Sequence, residues 1–265
     1  MEKLFEHYFV ELMDRVKKTC QFVLPASENE ITASMLRIMT ILTHQETFRE
    51  RIHDPAVKDS EITQRFDMIF QYAMMWSLGA VVSDASHREF FLRLREKVAS
   101  QVRIGKSQFR IERTYQIPDQ GLAPTNFYVE DLLWISWRDV LSRQEGRAPP
   151  EDQDASEIIV PTTEVLKQKH LLDMFAGNGK PVLFVGPTGT GKTVAISQYL
   201  REVDRDKFDA LTICFSAKSS ANSTQKQIEG RLDRRKRRHL GPANGKRLLV
   251  FIDDMNMPTV EAEGA

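Results

Sequence analysis

Gly186-Pro187-Thr188-Gly189-Thr190-Gly191-Lys192-Thr193 fits the pattern G-x-x-x-x-G-K-[ST] at every fixed position. Glycines at these positions let the backbone curl until successive N–H groups point inward, where they can donate to phosphate oxygens. A helix starting at the lysine adds its partial positive charge to the same spot. Lys192 would then reach the β- and γ-phosphates of a nucleoside triphosphate, and the Thr193 hydroxyl would ligate Mg²⁺, a cation that keeps most of its waters. About 60 residues further on, the apolar run Leu248 to Ile252 leads directly into Asp253 and Asp254. A strand ending in acids is the Walker B pattern. In it Asp253 orients the Mg²⁺ waters, and Asp254 stands where P-loop enzymes place the acid that polarises the attacking water. Asp254 is one methylene shorter than the usual glutamate.

The elements around these residues have the expected order. Pro181 to Val185 is an apolar run ending at the glycine loop, Thr193 to Leu200 has helical spacing, and Ala210 to Phe215 and Leu248 to Ile252 are short, partly β-branched runs. Runs of this kind between helices predict an α/β fold with a parallel sheet buried on both faces. Upstream the periodicity is helical. Leu4, Phe5, Tyr8, Phe9, Leu12, Met13 and Val16 recur at steps of three and four, as do Ile31, Met35, Ile38, Met39 and Leu42, and then Ile62, Phe66, Ile69, Phe70 and Ala73. Ser27 with Glu30 and Ser86 with Glu89 have capping-box spacing, and Gly79 reads as a helix stop. A bundle of about four helices is expected over residues 1–115.

Between Tyr115 and Trp137, aromatic and β-branched residues broken by Pro118, Gly121 and Pro124 predict a hairpin or irregular cover, with Trp134 and Trp137 as packing anchors. Gly146 to Glu157, with two prolines and several acids, reads as a linker. The expected division is therefore a helical bundle over 1–115, a connector over 116–157 and a nucleotide-binding unit over 158–265.

Composition narrows the function. Thirty-seven basic residues balance thirty-seven acidic ones, which leaves no net field to draw the chain to nucleic acid or an anionic membrane. The run Arg231 to His239 is densely basic but lacks interleaved aromatics, and reads as a solvated helix end or loop. Tyr72 to Val82, the longest mostly apolar stretch, is short of the roughly 20 residues that span a bilayer. No secretory signal is evident at the start, and Cys20 and Cys214 lack partners at metal-ligand spacing, which together suggest reduced thiols in an intracellular setting. Histidine spacing matches no zinc-protease motif, and no nucleophile triad is visible. Partners are thus expected to include neither nucleic acid nor membrane.

The residues from Thr188 to Thr193, Phe215 to Ala217, Ser219 to Asn222, Thr224-Gln225, Gly230 to Asp233, Gly241-Pro242, Gly245 to Arg247 and Phe251 to Pro258 closely resemble the third AAA+ module of axonemal dynein heavy chains. Val160 to Thr162 with Leu171 to Asp173 is similar to that module's entry segment. Tyr8 to Leu24, Trp76 to Ala80 and Trp134 to Trp137 are similar to the lid and connecting region of the second module. The resemblance implies an ATP- and Mg²⁺-binding, probably regulatory site in a six-module ring, within a microtubule motor that bends cilia and flagella. It further implies the neighbouring AAA+ modules, dynein light and intermediate chains and, through the parent protein, microtubules as partners, and a place in the cytoplasm, the cytoskeleton and the axoneme. The implied fold is a three-layer AAA+ sheet of order five-one-four-three-two, here incomplete, preceded by a helical lid-like bundle. The strand expected between the P-loop strand and the Walker B strand would come from beyond Ala265. So would the sensor residue and the module's own lid, and an arginine finger would come from a neighbour, so little hydrolysis is expected of this chain by itself.

Overall fold

A computed structural model describes residues 5–104, 107–109, 111–118, 127–130, 133–144, 162–236 and 239–259. It divides into two compact units, Met1–Thr163 and Glu164–Ala265. The expected linker, Gly146 to Glu157, lies outside the described residues.

In the first unit a π-helical turn, Phe5–Val10, runs into α1 (Glu11–Thr19), followed by α2 (Glu28–Thr43), α3 (Glu46–His53), α4 (Asp59–Ser77) and α5 (His87–Ala99). The Ser27–Glu30 capping box forms as its spacing requires: the Glu30 N–H donates to Ser27 Oγ, and the Ser27 N–H donates to Glu30 Oε2 at 2.8 Å. The second expected box does not form. Ser86 Oγ instead accepts from the Gln21 N–H at 3.0 Å, and Glu89 pairs with Arg93 on the same helix. A long-range backbone donor has outcompeted the local cap. Gly79, expected as a stop, opens a 3₁₀ turn (Gly79–Val81). It serves packing there, since a Cβ at this position would sit 2.6 Å from the Phe90 ring.

α4 carries the core. From Met68 through Met75 every side chain is buried, as in a helix surrounded by others rather than one lying on a surface. α2 packs along α4, and α1 packs against α5. Tyr8, Phe9, Leu12, Ile38, Tyr72, Leu78 and Phe90 are almost fully enclosed. Among the described residues no helix is long and apolar enough to cross a membrane.

One polar side chain lies fully inside this core. Gln71 Nε2 donates to the Tyr115 carbonyl at 2.8 Å, and Gln71 Oε1 accepts from the Ile117 N–H at 3.0 Å. Trp134 Nε1 donates to the same Tyr115 carbonyl at 3.1 Å. A buried amide with both ends satisfied fixes the path of a segment that has no regular ladder. It thereby ties the connector to α4. Two antiparallel hairpins follow α5: β1 (Val102–Ile104) with β2 (Ser107–Phe109), and β3 (Phe127–Glu130) with β4 (Leu133–Ser136). α6 (Trp137–Gln144) opens with Trp137, buried and stacked on Tyr128 at 4.6 Å between ring centroids. Both tryptophans are packing anchors, as expected.

One turn before Gln71, burial and then the facing Glu112 carboxylate push the Asp67 carboxyl up to about 7. Between about pH 4, where an unfolded aspartate ionises, and about pH 7, the folded chain holds a proton that the unfolded chain has released. Stability therefore falls as pH rises through that window. Urea melts of the first unit's transition at several pH values should show this fall, and Asp67→Asn should flatten it. An unchanged slope in the variant would assign the dependence to another group.

In the second unit, α7 (Thr163–Ala176) and α8 (Lys192–Glu202) cover one face of a parallel pair, β5 (Phe208–Cys214) and β8 (Arg247–Asp253), in register from Phe208 with Arg247 to Cys214 with Asp253. Leu172, Ile196, Tyr199 and Leu200 form the core there, with Phe184, Leu249 and Phe251 against it. α9 (Ala221–Glu229) and an antiparallel hairpin, β6 (Asp233–Lys236) and β7 (His239–Gly241), lie between β5 and β8 in sequence.

Three sequence expectations are corrected here. Pro181 to Val185 is not a strand, because no described residue offers it a ladder; it lies unpaired, with Val182 and Phe184 half-buried and Leu183 66% and Val185 51% exposed. The sheet is not buried on both faces, because among the described residues only the side of α7 and α8 is covered, and Val250 faces away from it. The basic run is not a helix end or loop. Its cross-strand hydrogen bonds make it a β-hairpin with a register shift between Arg234 and Lys236.

Candidate functional site

The loop Gly186 to Thr193 joins the unpaired Pro181 to Val185 segment to the first residues of α8. Gly189 and Gly191 have φ of +83° and +80°, and a Cβ at either would meet nothing within 4 Å. Glycine is needed there for backbone conformation alone. Left-handed φ costs an L-residue about 1–2 kcal/mol, so Gly191→Ala should lower stability by about that amount or else reshape the loop. Urea melts measure the first, and loss of phosphate-ligand affinity at unchanged stability reveals the second. A variant unchanged in both would show that the turn tolerates a side chain.

Lys192 Nζ lies in the concavity of the loop, donating to the carbonyls of Gly186 at 3.0 Å and Pro187 at 2.6 Å and to Thr190 Oγ1 at 3.1 Å. Thr190 Oγ1 in turn donates to the Pro187 carbonyl at 3.0 Å. The ammonium is thus held where oxygen acceptors converge. Thr188 contributes no printed bond, and its role is confined to the curve of the loop.

Thr193 Oγ1 donates to Asp253 Oδ1 at 3.3 Å across 60 residues of chain. The same carboxylate oxygen accepts from the Asp254 N–H at 3.0 Å, and the Asp253 carbonyl accepts from the Phe215 N–H at 3.0 Å. α8 carries Thr193 and packs on Leu249 and Phe251; alternation along β8 puts Asp253 on that same side. Asp254 is exposed, in a left-handed turn at φ +52°, with its carbonyl accepting from the Met257 N–H at 2.9 Å. Aspartate tolerates this conformation better than most residues. Lys192, Thr193 and Asp253 are brought together; no bond joins the Asp254 carboxylate to the loop among the described residues.

Two supports were not legible in the motifs. Arg247 Nη1 donates to the Gly177 carbonyl at 2.8 Å while its guanidinium lies 5.6 Å over the Phe208 ring, which fixes the start of β8 against the turn before the loop. Gly179 beside it has φ +65°, and a Cβ there would sit 2.6 Å from Arg247 Nη2. The Gly177-Asn178-Gly179 turn was the available signal. On α8, Tyr199 is hydrogen-bonded to Asp173 of α7; burial pushes Tyr199 up to about 12, and burial also raises Asp173. Lys169 pairs with Glu202 between the same helices. These contacts hold the helix that begins at Lys192.

A glycine loop opening a helix, an ammonium within it, and a hydroxyl touching the acid at the end of a neighbouring strand define the class of P-loop nucleotide-binding proteins. A family model described as the P-loop containing dynein motor region matches residues 148–265, and one described as the dynein heavy chain AAA lid domain matches residues 1–139. The chain belongs to the dynein heavy-chain family. It is 32% identical over 273 residues to Dynein axonemal heavy chain 1 of Mus musculus, covering 100% of this chain and 6% of that protein. It is also 32% identical over 274 residues to the Dynein-1-alpha heavy chain, flagellar inner arm I1 complex, of Chlamydomonas reinhardtii, covering 98% of this chain and 6% of that protein. Dynein axonemal heavy chain 3 of Mus musculus is 27% identical over 278 residues, covering 100% of this chain and 7% of that protein. The chain thus spans a small fraction of the length of the relatives it matches.

Proposed function

We propose that this chain binds ATP with Mg²⁺ at Gly186 to Thr193, as a regulatory nucleotide site in the AAA+ ring of an axonemal dynein heavy chain. The observation that carries the reading is the contact of Thr193 with Asp253 beside the Lys192 ammonium. Hydroxyl and carboxylate oxygens suit Mg²⁺, and a convergent ammonium and loop N–H groups suit a polyphosphate. Among the described residues no three His, Cys, Asp or Glu cluster together. A cation held by Thr193 and Asp253 therefore completes its shell with water and phosphate oxygens, which is the habit of Mg²⁺.

In this reading Lys192 neutralises the β- and γ-phosphates, Thr193 ligates the metal and Asp253 orients its waters. Asp254 is the water-orienting acid. The loop residues Gly186, Pro187, Thr188, Gly189, Thr190 and Gly191 supply the phosphate-facing backbone. Bound Mg²⁺ supplies charge neutralisation across the β- and γ-oxygens. The Pro181 to Val185 segment, apolar and alternating in burial but unladdered, supports a sheet that takes a further strand between it and β8. The names of the relatives support a setting in the axoneme of cilia or flagella, with the ring's other modules, light and intermediate chains and microtubules as partners of the parent protein.

Calorimetric titration of the purified chain with ATP, with and without Mg²⁺, tests the site. Binding strengthened by Mg²⁺ is expected. Absence of binding at millimolar ATP would leave the chain as an interaction fragment with an unused P-loop.

A further inference from the structure

Beside the basic hairpin lies a cleft of about 650 Å³, separate from the phosphate loop and independent of whether that loop binds nucleotide. Its apolar wall is built by Phe215 after β5, Ile228 on α9, Leu232 and Leu240 on the hairpin, and Pro258 after β8. Leu240 is 51% exposed. The rim is cationic. Arg234 lies directly opposite Leu240 in the ladder, and directly opposed residues share a face of a two-stranded ribbon. That puts the Arg234 position on the same face as a leucine lining the cleft. Arg231 is exposed at the foot of the hairpin, and the sequence through it continues Arg235, Lys236, Arg237 and Arg238 against the single acid Asp233. One acid, Glu229, lines the cleft, and Gln225 Nε2 donates to it at 2.7 Å.

An apolar slot with a basic rim has a definite complement. The rim attracts an acidic chain and repels a basic one, while the slot stabilises only a ligand that brings aliphatic side chains. A nucleic acid satisfies the first condition and not the second: its bases need stacking platforms, and the one aromatic residue in the wall is Phe215. We infer that the cleft between α9 and the β6–β7 hairpin is a docking site for an acidic protein segment that carries aliphatic anchors. The overall charge of the chain is zero, so attraction for such a segment is local to this face.

The test is fluorescence anisotropy of the full chain with a labelled peptide of glutamates carrying leucines at i, i+3, i+4 and i+7. The comparison probes are the same peptide with serine for leucine, the same peptide with lysine for glutamate, and a labelled single-stranded oligonucleotide. The leucine–glutamate peptide should bind about tenfold or more tighter than the serine version, and the lysine version should not bind. Leu240→Ser replaces a half-exposed side chain and should weaken the leucine peptide about tenfold without affecting the serine peptide, while Arg231→Glu with Arg234→Glu should weaken both; circular dichroism checks the fold of each variant. Equal affinity for the leucine and serine peptides, or no effect of Leu240→Ser, would overturn the proposal. So would an oligonucleotide that binds more tightly than the leucine peptide, since that would make the face a simple charge patch.

Discussion

Lys192→Ala is expected to weaken binding of Mg-ATP by about ten- to a hundredfold and of Mg-ADP by much less. The ammonium has three convergent oxygen partners in the loop, at Gly186, Pro187 and Thr190, so it is already held at the point where phosphate oxygens arrive. A charge-assisted hydrogen bond lost in a confined site costs about 1.5–3 kcal/mol, and 1.4 kcal/mol is a factor of ten. The difference between the two nucleotides is the informative quantity. A diphosphate lacks the γ-oxygens that the ammonium reaches, whereas general damage to the loop would weaken both nucleotides alike. The same calorimetric titration on wild type and variant decides it. Equal ATP affinity in the two proteins would remove Lys192 from the site, and parallel losses for ATP and ADP would make it a structural residue of the loop.

The second large effect is expected far from that loop. Phe90 on α5 is 0% exposed and packs against Gly79, where a Cβ would come within 2.6 Å of its ring. The close approach leaves no flexible neighbour on the Gly79 side to fill the space if the ring is removed. Phe90→Ala should therefore cost about 3–5 kcal/mol, the range for deleting a large aromatic from a core that collapses incompletely. A domain is stable by only about 5–15 kcal/mol in all, so the loss should be visible as a large fall in the urea midpoint of the first unit, followed by far-UV circular dichroism. Leu92→Ala, two residues along and 51% exposed, is the control and should change the midpoint little. Similar shifts for the two variants would mean that the Phe90 pocket closes after truncation.

The chemistry-bearing residues were legible because each depends on local geometry. Gly189 and Gly191 adopt the left-handed conformations that their spacing implies, Lys192 opens α8, and the Ser27–Glu30 box forms, since a cap three residues from its partner needs nothing from the rest of the fold. Periodicity likewise located the helices of the first unit. It could not show that α4 is enclosed on all sides, because that follows from how many helices surround it, which no single segment encodes.

Pairing was the other thing the sequence left open. Apolar, β-branched content describes Pro181 to Val185 and Arg247 to Asp253 equally well, yet only the second is in a ladder, because strand formation requires a partner edge and β5 supplies one to β8 alone. The basic run illustrates the same limit. Its charge was plain, but its cross-strand hydrogen bonds, and hence the cleft that Leu232 and Leu240 help to wall, exist only once both arms are folded against α9. Ser86 lost its expected cap to the distant Gln21 N–H, a competitor invisible to spacing. By itself, then, the sequence determined the phosphate loop, the acid-tipped strand and the helical character of the first unit, all of which rest on contacts within a few residues. The tertiary structure alone decided which strands pair, which face stays open and that Thr193 meets Asp253 across 60 residues, because those are choices among distant partners that local preference leaves nearly equal in energy.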